Sequence, residues 1–148
     1  NLAACLRELI SPSDILLCSA NLSPGNDYRL GVFKVLPQYD NEPTREWLLG
    51  AIAELGVNPK NGQIIFSIEQ SEYNLLKIVA NFVFSCDCDI HFEGVDFKYN
   101  QGEKLEVFYS IRHTLAKVRD LLEVMGIRVI KDRMSQTSEE AVFLCQKI

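Results

Sequence analysis

The sequence predicts an α/β protein whose sheet is interrupted by an inserted α+β region. Three observations predict it: an unbroken apolar run within residues 11–22, a β-rich stretch over residues 62–110, and a helix followed by two strands after Thr114. The chain has 148 residues, of which 47% are hydrophobic, so it can bury a substantial core. A disordered chain is therefore excluded.

Composition excludes several classes of function. Fifteen Lys and Arg against twenty Asp and Glu give a net charge of -5. The sequence has no run of basic residues that could bind along a phosphate backbone, so nucleic acid is not an expected partner. No apolar segment approaches about 18 residues, and the start does not resemble a signal peptide, so we expect no membrane span. Five Cys, an odd number, indicate reduced thiols in a cytoplasmic protein rather than a disulfide framework.

The first elements are predicted to be a helix, a turn and a buried strand. Apolar residues recur at helical spacing before Pro12, which cannot continue a helix; they are Leu2, Cys5, Leu6, Leu9 and Ile10. The apolar run within residues 11–22 then suits a strand covered on both faces, as in the middle of a parallel sheet, with its carboxyl end facing a ligand. Because this order is the second half of a βαβ unit, we expect the chain to be part of a longer protein.

A second helix is predicted over residues 44–55. The segment 23–27 is dense in turn formers, and residues 28–38 are too mixed to assign. Asn41, Pro43 and Thr44 then provide a helix start, and Gly56 fits the C-terminal cap. The helix carries one apolar stripe, formed by Trp47, Leu48, Ala51, Ile52 and Leu55.

The rest of the chain is predicted to be mostly β. Closely spaced strands should pair antiparallel; they cover residues 63–69, 75–92 in one or two pieces, 95–99 and 103–111. Thr114 then caps a helix ended by Gly126, whose apolar face is Leu115, Val118, Leu122 and Met125. Two last strands follow, near residues 127–131 and 141–145, and return the chain to the α/β sheet.

Motifs for common chemistries are not found. The eight glycines never form G-x-G-x-x-G or a Walker loop, so this chain has no phosphate-binding turn of its own. In the stretch from Cys86 to His91, period-two alternation puts Cys86, Cys88 and Ile90 on one strand face and His91 on the other, so no metal site is predicted. No Ser or Cys stands at motif spacing from His91 or His113, so a nucleophilic triad is not supported.

A small set of polar residues remains as candidates for a binding site. They are Asn21, Tyr39, Asp40, Tyr109, Ser110 and Arg112. Each has a structural alternative. Asn21 can end a strand, Asp40 with Asn41 can start a helix, and an aromatic residue in a strand is usually part of the core.

These features together resemble a known family. The resemblance rests on LRELISPSDILLCSANL, on Tyr39-Asp40-Asn41 ahead of a helix ending AELG, on GEKL and the strand up to Ser110, and on a helix closing at Met125-Gly126 before a hairpin. Along essentially the whole chain, it is similar to the carboxyl-terminal half of the histidine-specific, S-adenosylmethionine-dependent methyltransferases. That family includes the enzyme that trimethylates the histidine α-amino group in ergothioneine synthesis.

The resemblance implies a partial class I methyltransferase (Rossmann-like) sheet with an inserted, antiparallel β-rich substrate-binding region. Residues 1–22 and 112–148 would belong to the methyltransferase core, and residues 23–111 to the insertion. The glycine-containing cofactor loop, the acidic ribose-binding residue and the asparagine after the fourth strand would all precede Asn1. S-adenosylmethionine is therefore the cofactor implied for the complete protein, and this chain alone is not expected to bind it.

The resemblance also implies roles for four residues. Tyr39 matches a tyrosine that helps to hold the amino acid substrate, and Ser110 matches a serine that contacts the imidazole together with a glutamate two positions earlier. That earlier position is Phe108 here, which cannot accept a hydrogen bond from an imidazole N–H, so histidine is not carried over as the substrate. Asn21 stands where the family commonly has Asp at the end of the strand.

The sequence thus predicts the carboxyl-terminal part of a methyltransferase-like protein that contributes a pocket for a small-molecule methyl acceptor, an amino acid or a small amine. The chain by itself is expected to be inactive. Two alternatives stay open: a non-catalytic binding or assembly module of methyltransferase ancestry, which forms a homodimer through an exposed sheet edge, and a domain that binds a small ligand without chemistry.

Overall fold

The fold is a mixed α/β arrangement of three complete α-helices, one short 3-10 helix (Pro59–Asn61) and eight strands within the part that the computed structural model describes, residues 8–71 and 74–148. The helices are α1 (Tyr28–Tyr39), α2 (Glu42–Glu54) and α3 (Leu115–Val124). The strands are β1 (Ile15–Asn21), β2 (Gly62–Gln70), β3 (Leu76–Phe84), β4 (Cys88–Phe92), β5 (Val95–Tyr99), β6 (Lys104–Arg112), β7 (Ile127–Met134) and β8 (Glu140–Lys147).

The described residues form two compact units. The terminal unit comprises residues 8–32 and Arg112–Ile148, and the central unit is Phe33–Ile111. The terminal unit is therefore discontinuous in sequence, and the central unit is one continuous segment of the chain. The predicted division into methyltransferase core and substrate-binding insertion, with bounds at residues 22 and 112, stays a prediction.

The terminal unit is built on a three-stranded sheet in the order β1-β8-β7. The middle strand, β8, pairs antiparallel with both neighbours, so β1 and β7 run parallel to one another. The chain between β1 and β7 contains all the elements from α1 to β6 and then α3. The core of this unit is a cluster of buried apolar side chains, which are Ile10, Leu22, Val118, Leu122, Ile127, Ala141, Phe143 and Cys145.

The position of β1 corrects the sequence analysis. Its direct neighbour is antiparallel, and it is the outer strand of the described sheet rather than a middle one. Leu16 and Cys18 pack against the core, whereas Ile15 is 58% exposed and Leu17 is 67% exposed. An apolar run alone does not show how many faces are covered, and no described element covers the second face of β1.

The central unit contains two small sheets. One has the order β2-β3-β6, with β2 and β3 antiparallel, and the other is the antiparallel pair β4-β5. The predicted strands and their antiparallel pairing are thus confirmed, with the piece over residues 75–92 divided into β3 and β4. Strand β3 is the most buried element, because Ile78, Val79, Ala80 and Phe82 are all 0% exposed.

Helix α1 is the element that the sequence analysis did not assign. Asp27 accepts a hydrogen bond from the backbone N–H of Leu30 at 2.9 Å, which is the arrangement of an N-terminal cap. Val32 and Val35 are completely buried. Gly31 lies so close to the preceding turn that an added Cβ would stand 2.3 Å from the carbonyl oxygen of Pro24, so this helix needs a glycine there.

Helix α2 confirms the predicted start and end, but only two of the five residues of the predicted apolar stripe are buried. The Asn41 side chain accepts from the N–H of Thr44 at 3.0 Å, and Gly56 adopts a positive φ of 84° after the last turn. Leu48 and Ile52 are each 1% exposed and join the core of the central unit. Trp47, predicted on the same stripe, is 63% exposed, and Ala51 and Leu55 are exposed as well.

Helix α3 also agrees with the sequence analysis. The hydroxyl of Thr114 accepts from the N–H of Lys117 at 3.1 Å, and Val118 and Leu122 are buried. The predicted helix before Pro12 falls largely on residues 1–7, which lie outside the described residues. Of its members that are described, Ile10 is buried and Leu9 is 78% exposed.

Candidate functional site

The central unit brings together two of the predicted site residues. Tyr39 is the last residue of α1, and Ser110 lies near the end of β6, 71 positions later. Their hydroxyl oxygens are 3.1 Å apart, so one hydroxyl donates to the other. Ser110 is buried, at 9% exposure, and Tyr39 is half-buried. The two hydroxyls therefore form a polar spot at the boundary between the core and solvent.

An aromatic ring borders this spot. The rings of Phe108 and Tyr39 have centroids 5.6 Å apart and are tilted by 37°. Residues two apart on a strand share a face, so Phe108 and Ser110 lie on the same side of β6. Phe108 also packs against the core of the central unit, as the structural alternative for an aromatic strand residue predicts. The resulting site, which we call the hydroxyl site, consists of Tyr39, Phe108 and Ser110.

Asp40 and Asn41 connect the hydroxyl site to α2. Asp40 forms an ion pair with Arg45, whose NH2 group lies 2.6 Å from Oδ1. Arg45 also donates to the backbone carbonyl of Ile64 at 2.5 Å and lies over the ring of Phe66. Arg45 was not among the predicted site residues; the available indication of its ion pair was a cation five residues after Asp40. Both residues thus have structural roles: Asp40 binds Arg45, and Asn41 caps α2.

Tyr109 points away from the hydroxyl site. It lies between Phe108 and Ser110 in β6, so its side chain is on the opposite face of the strand, where it is 59% exposed. There its ring centroid is 6.0 Å from the ammonium of Lys77. The hydrogen bond from that ammonium to Glu106, at 2.8 Å, raises the pKa of Lys77. Tyr109 therefore provides a matched control for Tyr39.

Asn21 and Arg112 belong to the terminal unit. Strand β1 ends at Asn21, whose backbone carbonyl accepts from the N–H of His113 at 3.0 Å. Arg112 is 5% exposed, and its guanidinium donates to the carbonyls of Leu22 at 3.2 Å and Glu139 at 3.3 Å. These contacts tie the ends of β1 and β6 to the loop before β8, so Arg112 has a clear structural role in this unit.

The cysteine-rich stretch differs from the expected alternation. Strand β4 begins at Cys88, so Cys86 lies before the strand, in a bend, and is exposed. Cys88 and Ile90 do face the core of the central unit, while the exposed His91 lies within 2.7 Å of Asp96. No cluster of three or more His, Cys, Asp or Glu that could hold a metal ion occurs among the described residues.

The described cysteines are all free thiols: Cys18, Cys86, Cys88 and Cys145. Burial, with a smaller contribution from the nearby thiol of Cys18, raises the pKa of Cys145 to about 11. Burial also raises the pKa of Cys18. Because the thiolate is the reactive form, neither thiol of the terminal unit is suited to be a nucleophile near neutral pH.

The glycines provide a structural test for a nucleotide-like cofactor. A phosphate-binding turn needs glycines at which a side chain would collide with the ligand. At Gly31 an added Cβ would instead collide with Ser23 and Pro24, and at Gly62 it would collide with Val83 and Phe82. Both glycines therefore serve the packing of the chain against itself rather than the approach of a ligand.

Comparisons with known proteins find little. No protein-family model and no curated protein matches the chain. Among solved structures, it is similar to the CcbJ methyltransferase from Streptomyces caelestis, with 12% identity and a TM-score of 0.38 over 98% of this chain. A TM-score this low does not establish a common fold, and this chain spans 48% of the length of that protein. Within the described residues, no helix combines the length and apolar character needed to cross a membrane.

Proposed function

We propose that this chain is the substrate-binding part of an S-adenosylmethionine-dependent, methyltransferase-like protein, and that the hydroxyl site binds its methyl acceptor. The observation that carries the proposal is the 3.1 Å contact between Tyr39 and Ser110. These are the two residues to which the sequence resemblance assigns the substrate, and the fold joins them across 71 positions.

The chemistry of the hydroxyl site favours a small neutral amine or an amino acid. Each hydroxyl offers one donor and accepting lone pairs, so the pair can orient an amine or a carboxylate. Phe108 contributes an apolar ring where the related enzymes have a carboxylate, so the site offers no acceptor there for an imidazole N–H. Histidine is therefore expected to bind worse than an acceptor whose apolar part rests on the Phe108 ring.

The residues of this chain would contribute to catalysis only by orienting the methyl acceptor. Methyl transfer to a neutral amine needs the acceptor nitrogen aligned with the methyl donor, and alignment is a large part of catalysis in such reactions. Tyr39 and Ser110 would supply that alignment. Because the sequence has no G-x-G-x-x-G motif, we expect no methyl transfer from the chain alone, and the complete protein would have to supply the cofactor-binding half.

The test is a ligand titration that is monitored by NMR. A panel of amino acids and simple primary and secondary amines, histidine included, is added to the labelled protein. We expect at least one amine to shift the amide signals of Tyr39 and Ser110, and we expect Tyr39→Phe to lose that response. Tyr109→Phe is the matched control, because it removes a hydroxyl from the opposite face of β6 and should leave binding unchanged.

Two outcomes would contradict the proposal. One is that no member of the panel shifts these signals at millimolar concentration. The other is that Tyr39→Phe and Tyr109→Phe bind the same amine equally well. A calorimetric titration with S-adenosylhomocysteine, which should give no heat of binding, tests separately whether the chain lacks a cofactor site.

The edges of the terminal sheet favour a second candidate function, which is assembly into a homodimer. Native sheets protect their edges with charges and bulges. Strand β7 has both, since it contains charged residues and a register shift between Val129 and Lys131. Strand β1 contains no charged residue, and Ile15 and Leu17 are exposed. We propose as the alternative that β1 pairs antiparallel with β1 of a second copy, which would give a homodimer.

Light scattering after gel filtration tests this alternative. The dimer is expected for the unmodified chain and for Ile130→Lys, which places a charge on the β7 edge. Leu17→Lys should give a monomer, because it places a buried ammonium in the new interface. A monomer at every concentration of the unmodified chain would rule the alternative out.

A further inference from the structure

The central unit contains an apolar pocket of about 200 Å³. Two strands, β4 and β5, form much of its lining and contribute the rings of Phe92, Phe97 and Tyr99. None of the described side chains that line the pocket is charged. The three residues of the hydroxyl site do not line it, so this pocket is a separate site.

Part of the lining is fixed by packing. Aliphatic side chains from β4, from the end of α2 and from β6 belong to it: Leu55, Val57, Ile90 and Leu105. Val57 is 3% exposed and Ile90 is 6% exposed, and both belong to the core of the central unit. The ring of Tyr99 stacks on the ring of Phe84, with centroids 4.5 Å apart. Because these walls are already held in place, ligand binding costs the protein little conformational entropy.

The charged residues of the β4-β5 hairpin lie on its other face. Ile90 lines the pocket, so strand alternation directs Asp89 and His91 away from it. There Asp89 is 3.7 Å from the ammonium of Lys98, and His91 is 2.7 Å from Asp96. All four side chains are exposed. A charged ligand in the pocket would therefore lose its hydration without gaining an ion pair.

We propose that this pocket binds a small, neutral aromatic molecule with a single ring. The volume sets the size of the ligand, since an engineered apolar cavity of about 150 Å³ stays free of water and binds benzene. The three aromatic side chains favour a ring over an alkyl chain, because aromatic pairs are stabilised beyond the area that they bury. Phe97 is 43% exposed and Leu55 is 38% exposed, so they mark the open side through which the ligand enters.

A titration with p-cresol, monitored by methyl NMR, tests the proposal. p-Cresol has one ring and is neutral at neutral pH, whereas benzoate has a ring of the same size and a negative charge. We expect p-cresol at millimolar concentration to give saturable shifts of the methyl signals of Leu55, Val57, Ile90 and Leu105. Benzoate should bind at least about tenfold more weakly, because the lining offers its carboxylate no partner.

Phe97→Ala removes one ring at the open side and should weaken p-cresol binding about two- to tenfold. Val95→Ala is the matched control, because Val95 shares a strand face with Phe97 and is 53% exposed, but does not line the pocket. The proposal is overturned if p-cresol leaves the four methyl signals unchanged, if benzoate binds equally well, or if the two variants bind alike. It is also overturned if these signals shift with protein concentration before any ligand is added, since a second copy would then fill the pocket. Should Phe97→Ala fail to fold by circular dichroism, the comparison with benzoate decides.

Discussion

The hydrogen bond between Tyr39 and Ser110 gives the sharpest prediction for the central unit. At 3.1 Å this hydrogen bond is longer than the common O–H···O distance of about 2.8 Å. We therefore expect it to contribute less than about 1 kcal/mol to the free energy of unfolding. Tyr39→Phe nevertheless leaves the buried Ser110 hydroxyl without this donor or acceptor, which costs about 1–3 kcal/mol. Ser110→Ala should cost less, because the half-buried Tyr39 hydroxyl can turn to water.

Urea denaturation measures both changes. Far-ultraviolet circular dichroism and the fluorescence of Trp47, the single tryptophan and part of the central unit, follow the unfolding. A double-mutant cycle with Tyr39→Phe and Ser110→Ala measures the coupling free energy between the two hydroxyls, which we expect to be about 0.5–1 kcal/mol. Tyr109→Phe, on the opposite face, should change the free energy of unfolding by less than about 0.5 kcal/mol. A coupling within about 0.3 kcal/mol of zero would refute the contact and, with it, the hydroxyl site.

Three further predictions concern stability. Asn41→Ala removes the cap of α2 and should lower the free energy of unfolding by about 1 kcal/mol in urea. Gly50→Ala should raise the melting temperature, since its Cβ would meet nothing and alanine favours a helix interior by up to about 1 kcal/mol, whereas Gly31→Ala should lower it because of the collision with Pro24. The melting temperature should be insensitive to Cys145 up to about pH 9, the ordinary thiol pKa. Above that pH stability should fall toward pH 11, because the unfolded chain releases the thiol proton first; Cys145→Ala should remove this part of the pH dependence.

Local sequence patterns predicted the central unit well. Its strands are short and bounded by turn residues, and Glu93 and Gly94 take the positive φ values that the hairpin between β4 and β5 requires. The caps at Asn41 and Thr114 were equally visible, because a cap depends on residues within one helical turn. Such features are decided by neighbours in sequence.

Features that depend on distant packing were harder to predict. Nothing in the run from Ile15 to Asn21 shows that its second face is left uncovered, since burial is set by elements far along the chain. Helix α1 was missed because Pro37 and Gly31 weaken its pattern, while its stability comes from Val32 and Val35.

The candidate site was predictable only through resemblance. No spacing rule connects Tyr39 with Ser110, which are 71 residues apart. Tyr109 and Ser110 were equal candidates by composition. The direction in which each side chain leaves β6 separates them, and it follows from the register of the strand rather than from residue type.

The central place of β8 in the terminal sheet has a consequence for biosynthesis. Ile15 pairs with Gln146, so β1 has emerged from the ribosome long before its partner is made. The central unit is continuous and can fold in the meantime, whereas the terminal sheet must wait for the last strand. During that interval β1 is without its neighbour, so its apolar side chains and unpaired backbone groups stay open to solvent.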